Sequence, residues 1–252
     1  MSSQWIDSAK PVRSGEVLDV DLLETYLKAH LPDLEGDLAV TQFPSGFSNL
    51  TYKLQIGSQE FVLRRPPFGA NIKSAHDMGR EYKILSSLHE VYSKSPKALL
   101  YCEDEAVMGA SFYVMERVKG IVLRATSPKE MLPEADLMGR IATSFISNLV
   151  DLHAVDYEAA GLGDLGRPAG YVERQIKGWS KRYNNAKTDE WPEMDQAMTW
   201  LAENMPPETD ATLIHNDYKY DNVILDAEDW SEIKAVLDWE MTTLGDPLMD
   251  LG

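Results

Sequence analysis

TLIHNDYKYDNVILD (Thr212–Asp226), followed after a polar turn by IKAVLDWE (Ile233–Glu240), decides how this chain is read. Two short β-branched runs separated by Ala227 to Ser231 predict a β-hairpin, with strands over Asn222 to Leu225 and Ile233 to Asp238. Antiparallel pairing sets the start of one strand beside the end of the other, so Asn222 and Asp238 are expected side by side. An amide oxygen and a carboxylate converging on one point form a hard-oxygen site suited to Mg²⁺, which takes its remaining ligands from water and phosphates.

Asp217 lies on the loop ahead of the hairpin, five residues before Asn222. From there it is expected to face a substrate hydroxyl as base or orienting acceptor, the role of the Asp in an HxDxxxxN catalytic loop. Lys219 is expected to balance charge on the transferring group, because phosphoryl transfer relies on positioning and electrostatics. His215 reads as a structural residue bonding backbone around the loop. Taken singly, these residues are ordinary turn formers; jointly, the spacing, the hairpin and the terminal Asp favour a functional site.

Outward from this segment the pattern changes halfway along the chain. Past a helix expected at Val20 to Leu31, the runs LAVTQF, LTYKLQI, EFVLRR, KALLY and SFYVMERV between Leu38 and Val118 predict an antiparallel sheet. One helix interrupts them, AHDMGREYKILSSLHE, with Met78, Tyr82, Leu85 and His89 as its apolar stripe. Beyond Gly120 the signal is helical: Leu137, Ile141, Phe145, Leu149 and Leu152 mark a long helix, and YVERQIKGWSKRYNN and Pro192 to Asn204 mark two more. The expected fold is α+β and two-lobed. Residues 1–118 form an N-terminal nucleotide-binding lobe with a small antiparallel sheet, and residues 119–252 a mainly helical C-terminal lobe with the catalytic loop and metal site. Gly245-Asp246-Pro247 reads as a turn with Asp246 as helix cap and Pro247 at the first helical position, and Asp250 as a tie for the loop.

With 41 acidic against 24 basic residues the formal charge is −17, which repels nucleic-acid phosphates, so no nucleic-acid partner is expected. A nucleotide must then be held by local charge. The single cysteine, Cys102, excludes an intramolecular disulfide, and the opening MSSQWIDSAK lacks a secretory layout, so a cytoplasmic protein is expected. No apolar run reaches the roughly 20 residues that span a bilayer, so no membrane helix is expected.

The stretches FVLRRPPFG, SAHDMGREYKIL, FYVMERVKG, GYVERQIKGW and VLDWEMTTLGDPLMDLG, with the motif above, resemble the aminoglycoside phosphotransferase family of the protein-kinase-like superfold. They are most similar to its branch of kinase-like domains fused to some acyl-CoA dehydrogenases. The resemblance runs from about Phe43 to the last residue. It implies that Asp217 is the catalytic Asp, that Asn222 and Asp238 hold Mg²⁺, and that ATP donates its γ-phosphoryl to a hydroxyl of a small molecule. It implies also that FYVMERV enters a hinge, where the backbones of Glu116 and Val118 hold the adenine edge. Arg64 stands at the position of the phosphate-binding Lys and Glu81 at that of its helix partner. Arg for Lys is a departure, since a permanently charged planar fork grips a carboxylate or phosphate differently. The nucleotide-covering loop would be PSGFSN, where Ser45 and Gly46 are cofactor-binding candidates and Ser48 and Asn49 offer donors; a plain hairpin turn has the same composition.

Asp246 follows Asp238 by only eight positions, too short an interval for the activation segment of a protein kinase, which favours a small acceptor over a protein. The acceptor implied by the branch is a hydroxyacyl thioester or another alcohol. The alternative is a nucleotide-binding pseudokinase or interaction module, motivated by Arg64 and the glycine-poor loop. The family's second lobe continues past the position of Gly252, so this lobe reads as incomplete, and a homodimer is expected to cover the apolar face left bare.

Overall fold

The computed structural model describes residues 9–44, 48–69, 77–124, 127 and 132–251. They fall into two compact units, one of Met1–Val150 with Tyr218–Glu240 and the other of Asp151–Asp217 with Met241–Gly252.

In the first unit, β1 (Leu38–Gln42), β2 (Leu50–Ile56), β3 (Gln59–Arg65), β4 (Ala98–Cys102) and β5 (Phe112–Glu116) form one sheet in the order β1-β2-β3-β5-β4, with every neighbour antiparallel. All five expected strands are present. Strand periodicity sends alternate residues to opposite faces. Leu50, Tyr52, Leu54, Ile56, Phe61, Leu63, Phe112 and Val114 build the core on one face. There they meet Leu23 and Leu27 of helix α1 (Val20–His30) and Val107 and Met108 of the short helix α3 (Glu105–Met108). Helix α1 starts where Asp19 Oδ1 accepts the Leu22 amide at 3.0 Å, satisfying one of the orphan donors of a helix N-terminus.

Because β3 is central, Phe61 to Arg65 are all buried, Arg64 included. From Phe61 onward β3 is therefore covered on both faces. Helix α2 (Met78–Leu88), capped by Asp77 Oδ1 on the Arg80 amide at 2.9 Å, supplies part of the second covering. Its inward residues are Met78, Glu81, Ile84, Leu85 and Leu88. Tyr82 and His89 of the expected stripe are only half-buried; Tyr82 stacks on Tyr101 and His89 Nδ1 meets the Ser95 carbonyl at 2.7 Å. The stripe is displaced because a charged residue, Glu81, takes an inward position that hydropathy assigns to solvent.

Also in this unit, β7 (Val223–Leu225) and β8 (Ile233–Val236) form the expected hairpin, pairing Val223 with Val236. Asp226 Oδ1 holds its turn by accepting the amides of Glu228 at 2.7 Å and Asp229 at 3.0 Å. The ends differ from expectation: Tyr220–Asn222 is a 3₁₀ turn, and Asp238 leaves the strand in the left-handed region at φ 68°. Helix α4 (Ala135–His153) buries Ile141, Leu149 and Leu152 of its expected stripe, with Leu137 and Phe145 half-buried.

The second unit holds α5 (Tyr171–Ala186), α6 (Pro192–Glu203) and a small antiparallel pair, β6 (Thr212–Ile214) with β9 (Thr243–Gly245). Asp246 Oδ1 caps the closing 3₁₀ turn Pro247–Leu251 by accepting the Leu248 amide at 2.9 Å, as the Gly-Asp-Pro reading predicts. Among the described residues no helix is long and apolar enough to cross a membrane.

Candidate active site

In the first unit a cavity of about 150 Å³ opens beneath the sheet. Its roof is Thr51 of β2 with Val62 and Arg64 of β3, the face opposite the α1 core. Met115 to Gly120 make one wall, and Asn222, Ile224, Leu237 and Asp238 make the floor. Gly120 is required where the chain passes β7, because a Cβ there would overlap the Leu225 carbonyl and the Ile224 side chain. The bridge between Ile121 and Leu225, with both amide–carbonyl bonds at 2.8 Å, fixes that crossing.

The floor is set by the hairpin. The Leu237 amide donates to the Asn222 carbonyl at 2.8 Å, which places Asn222 beside the residue before Asp238. Both side chains border the cavity, Asn222 at 8% exposure. Amide oxygen and carboxylate form a hard donor set that fits Mg²⁺. Among the described residues no group of three or more His, Cys, Asp or Glu side chains is arranged to hold a metal by itself.

Arg64 is the charged centre of the roof. Its Nη1 donates to Glu81 Oε1 at 2.8 Å and to Asp238 Oδ1 at 3.1 Å, and its Nη2 donates to Asp238 Oδ1 at 3.0 Å and Glu240 Oε2 at 3.2 Å. Its Nε is buried and meets no acceptor among the described residues. Burial opposes the guanidinium charge, yet Glu81 and the carboxylates beyond it hold its pKa well above the usual value. Burial likewise pushes the Glu81 carboxyl up to about 7, against the pull of Arg64. Beside the wall segment Met115 to Gly120, Glu60 faces Lys53 at 2.7 Å, Lys119 at 2.8 Å and Arg117 at 3.3 Å. Burial raises its carboxyl, but these cations outweigh that and hold it at about 2.

Of the residues singled out in the sequence, Arg64, Glu116, Val118, Asn222 and Asp238 thus border one cavity, with Glu81 bonded behind Arg64. Lys219 is exposed, does not border the cavity, and uses its carbonyl to accept the Asn222 amide at 2.9 Å. Ser45 and Gly46 lie outside the described residues. Ser48 and Asn49, from the same loop, are directed at Glu240, with Asn49 Nδ2 donating to Oε2 at 2.7 Å. The sequence reading passed over Glu240, although a second acid two residues after Asp238 is visible in DWE.

The second unit carries Asp217. It is half-buried, and its amide donates to His215 Nδ1 at 3.2 Å. The side chain of Asp250 is fully buried and clamps the loop: Oδ2 accepts the His215 amide and His153 Nε2, both at 2.9 Å, and Oδ1 accepts the Asn216 amide at 2.6 Å. Burial raises the Asp250 carboxyl, and these donors more than offset it, leaving the pKa lowered. Asn216 takes a left-handed φ of 62°, with its side chain donating to the Met241 carbonyl at 3.0 Å. His215 is fully buried, in keeping with a structural part.

A five-stranded antiparallel sheet with one helix packed on it and a cavity beneath it is the architecture of the kinase-like fold. Comparison with known proteins agrees. The chain belongs to the APH phosphotransferase enzyme family, whose family model matches residues 39–252. It is 40% identical over 238 residues to acyl-CoA dehydrogenase family member 11 of Rattus norvegicus, covering 92% of this chain and 30% of that protein. The chain therefore spans about a third of the length of the curated relatives it matches. A crystal structure from Ralstonia eutropha, named as a candidate aminoglycoside phosphotransferase, superposes with a TM-score of 0.80 at 36% identity, covering 93% of this chain and 68% of that one. Macrolide 2′-phosphotransferase type I shares the fold, with a TM-score of 0.67 at 18% identity, covering 96% and 77%.

Proposed function

We propose that this chain transfers the γ-phosphoryl of ATP to a hydroxyl of a small molecule. The observation that carries the reading is the cavity on which hinge, Arg64, Asn222 and Asp238 converge. In it the backbones of Glu116 and Val118 meet the adenine edge, and Arg64, which lines the cavity, supplies positive charge toward phosphate. Asn222 and Asp238 hold Mg²⁺, which when bound neutralises phosphate charge and orients the transferring group. Asp217 orients the acceptor hydroxyl and accepts its proton, and Lys219 adds positive charge on the approach. The relatives' acyl-CoA dehydrogenase names support a hydroxylated acyl thioester or a related alcohol as acceptor, and the charge of −17 supports a small molecule over nucleic acid in a cytoplasmic setting.

One observation favours a second reading. Both Nη groups of Arg64 are engaged by Glu81, Asp238 and Glu240, which suits a nucleotide-binding module without transfer. Mg·ATP binding and ATP turnover against a panel of alcohols, in the unaltered chain, Asp217→Ala and Asp238→Ala, separate the two. Transfer predicts turnover that Asp217→Ala lowers by about 10²-fold or more with nucleotide binding retained, and loss of Mg-dependent binding in Asp238→Ala. Binding without turnover anywhere in the panel selects the module.

A further inference from the structure

Glu240, two residues past Asp238, joins three segments of the first unit: the loop before β2, β3 and α2. Its Oε2 accepts Asn49 Nδ2 at 2.7 Å and Arg64 Nη2 at 3.2 Å, and its backbone carbonyl accepts Arg80 Nη1 of α2 at 3.2 Å. The Ser48 hydroxyl also bonds its carboxylate. Asn49 is 1% exposed and immediately precedes β2, so its amide needs a fixed partner. Asp238 and Arg64 border the cavity; Glu240 does not.

We propose that Glu240 is a positioning residue for the nucleotide: it pins the root of the β1–β2 loop, through Ser48 and Asn49, to the roof cation Arg64 and to α2, and is not itself a metal ligand. Its carboxylate is shared between an amide and a guanidinium, a geometry for holding neighbours in place. Removing it takes one acceptor from the buried Asn49 amide and one of the two acceptors of Arg64 Nη2. Loop root and roof then lose their common anchor whether or not Mg²⁺ is present. A ligand role would act only through the metal. The inference rests on the cavity's being a nucleotide site.

Isothermal titration of the full chain with ADP, once in EDTA and once with Mg²⁺, tests it. Glu240→Ala should weaken metal-free ADP by about tenfold, the effect of one charge-assisted hydrogen bond, and leave the ratio between Mg²⁺ and metal-free affinities unchanged. Glu240→Gln, which keeps an oxygen for Asn49, should recover to within about threefold. Asn49→Ala should weaken metal-free ADP by itself, and combined with Glu240→Ala should cost less than the sum of the two, because the two residues share a contact. That last variant carries the test if Glu240→Ala does not fold. Unchanged metal-free binding in Glu240→Ala or in Asn49→Ala, or loss of the Mg²⁺ increment alone, overturns the proposal. Failure of the unaltered chain to bind ADP at all would instead remove the nucleotide reading beneath it.

Discussion

Glu60 and Asp250 show how single carboxylates anchor this protein, one at the hinge and one beneath the HND loop. Glu60 is held at about 2 by Lys119, Lys53 and Arg117 against an ordinary value of 4.5. A depressed carboxyl stabilises the fold above its unfolded value and loses that contribution as pH falls through the folded one. Glu60→Gln should therefore lower stability by about 1–2 kcal/mol at pH 7, with the difference from the parent shrinking as pH drops below 4.5 toward 2. Urea melts at stepped pH measure it, and a difference that does not change with pH would contradict the ion-pair account. Asp250 accepts two backbone amides and His153 with no exposure. Asp250→Ala strands those donors and should cost about 3 kcal/mol by chemical denaturation. That Asn222 and Asp238 come together was legible at this scale because the hairpin fixes their spacing. The part played by Glu240 was not, since its partners Asn49 and Arg64 lie 191 and 176 residues away in the chain.

Elements whose local pattern agrees with their surroundings were read correctly, among them β1 to β5, the β7–β8 hairpin, α1 and α4. Where tertiary contacts outweigh pattern the reading failed. The inward face of α2 was misplaced by the buried Glu81, and β6 and β9 went unseen because three-residue strands carry too little periodicity. Asp238 was assigned to a strand although the chain turns left-handed there. The hinge makes an element-scale prediction of its own. A side chain at Gly120 must displace both the Leu225 carbonyl and the Ile224 side chain. Gly120→Ala should then destabilise by about 2–3 kcal/mol and weaken nucleotide binding, because Gly120 also borders the cavity. Thermal denaturation and ADP titration on the same preparation check both, and a neutral result would mean the hinge is slack.

For the molecule as a whole, the distribution of its six tryptophans is informative. Trp179, Trp191 and Trp200 on and beside α5 and α6 are about 60% exposed, a large apolar surface for a water-facing hairpin. Replacing all three with Gln should leave stability within about 0.5 kcal/mol per site, as surface changes do, while reducing light scattering at high concentration. A large drop in melting temperature would show that these rings are packed in solution. Trp239 is the opposite case: 1% exposed, edge-on to Tyr92 at 6.0 Å, its Nε1 donating to the Val236 carbonyl at 2.9 Å. It directly follows Asp238 in the chain. With Trp179, Trp191 and Trp200 replaced, three indoles remain, Trp5, Trp230 and Trp239, and of these Trp239 is seated one residue from the proposed metal position. The fold thereby supplies an intrinsic fluorophore, and ligand titrations on the stripped chain need no added label.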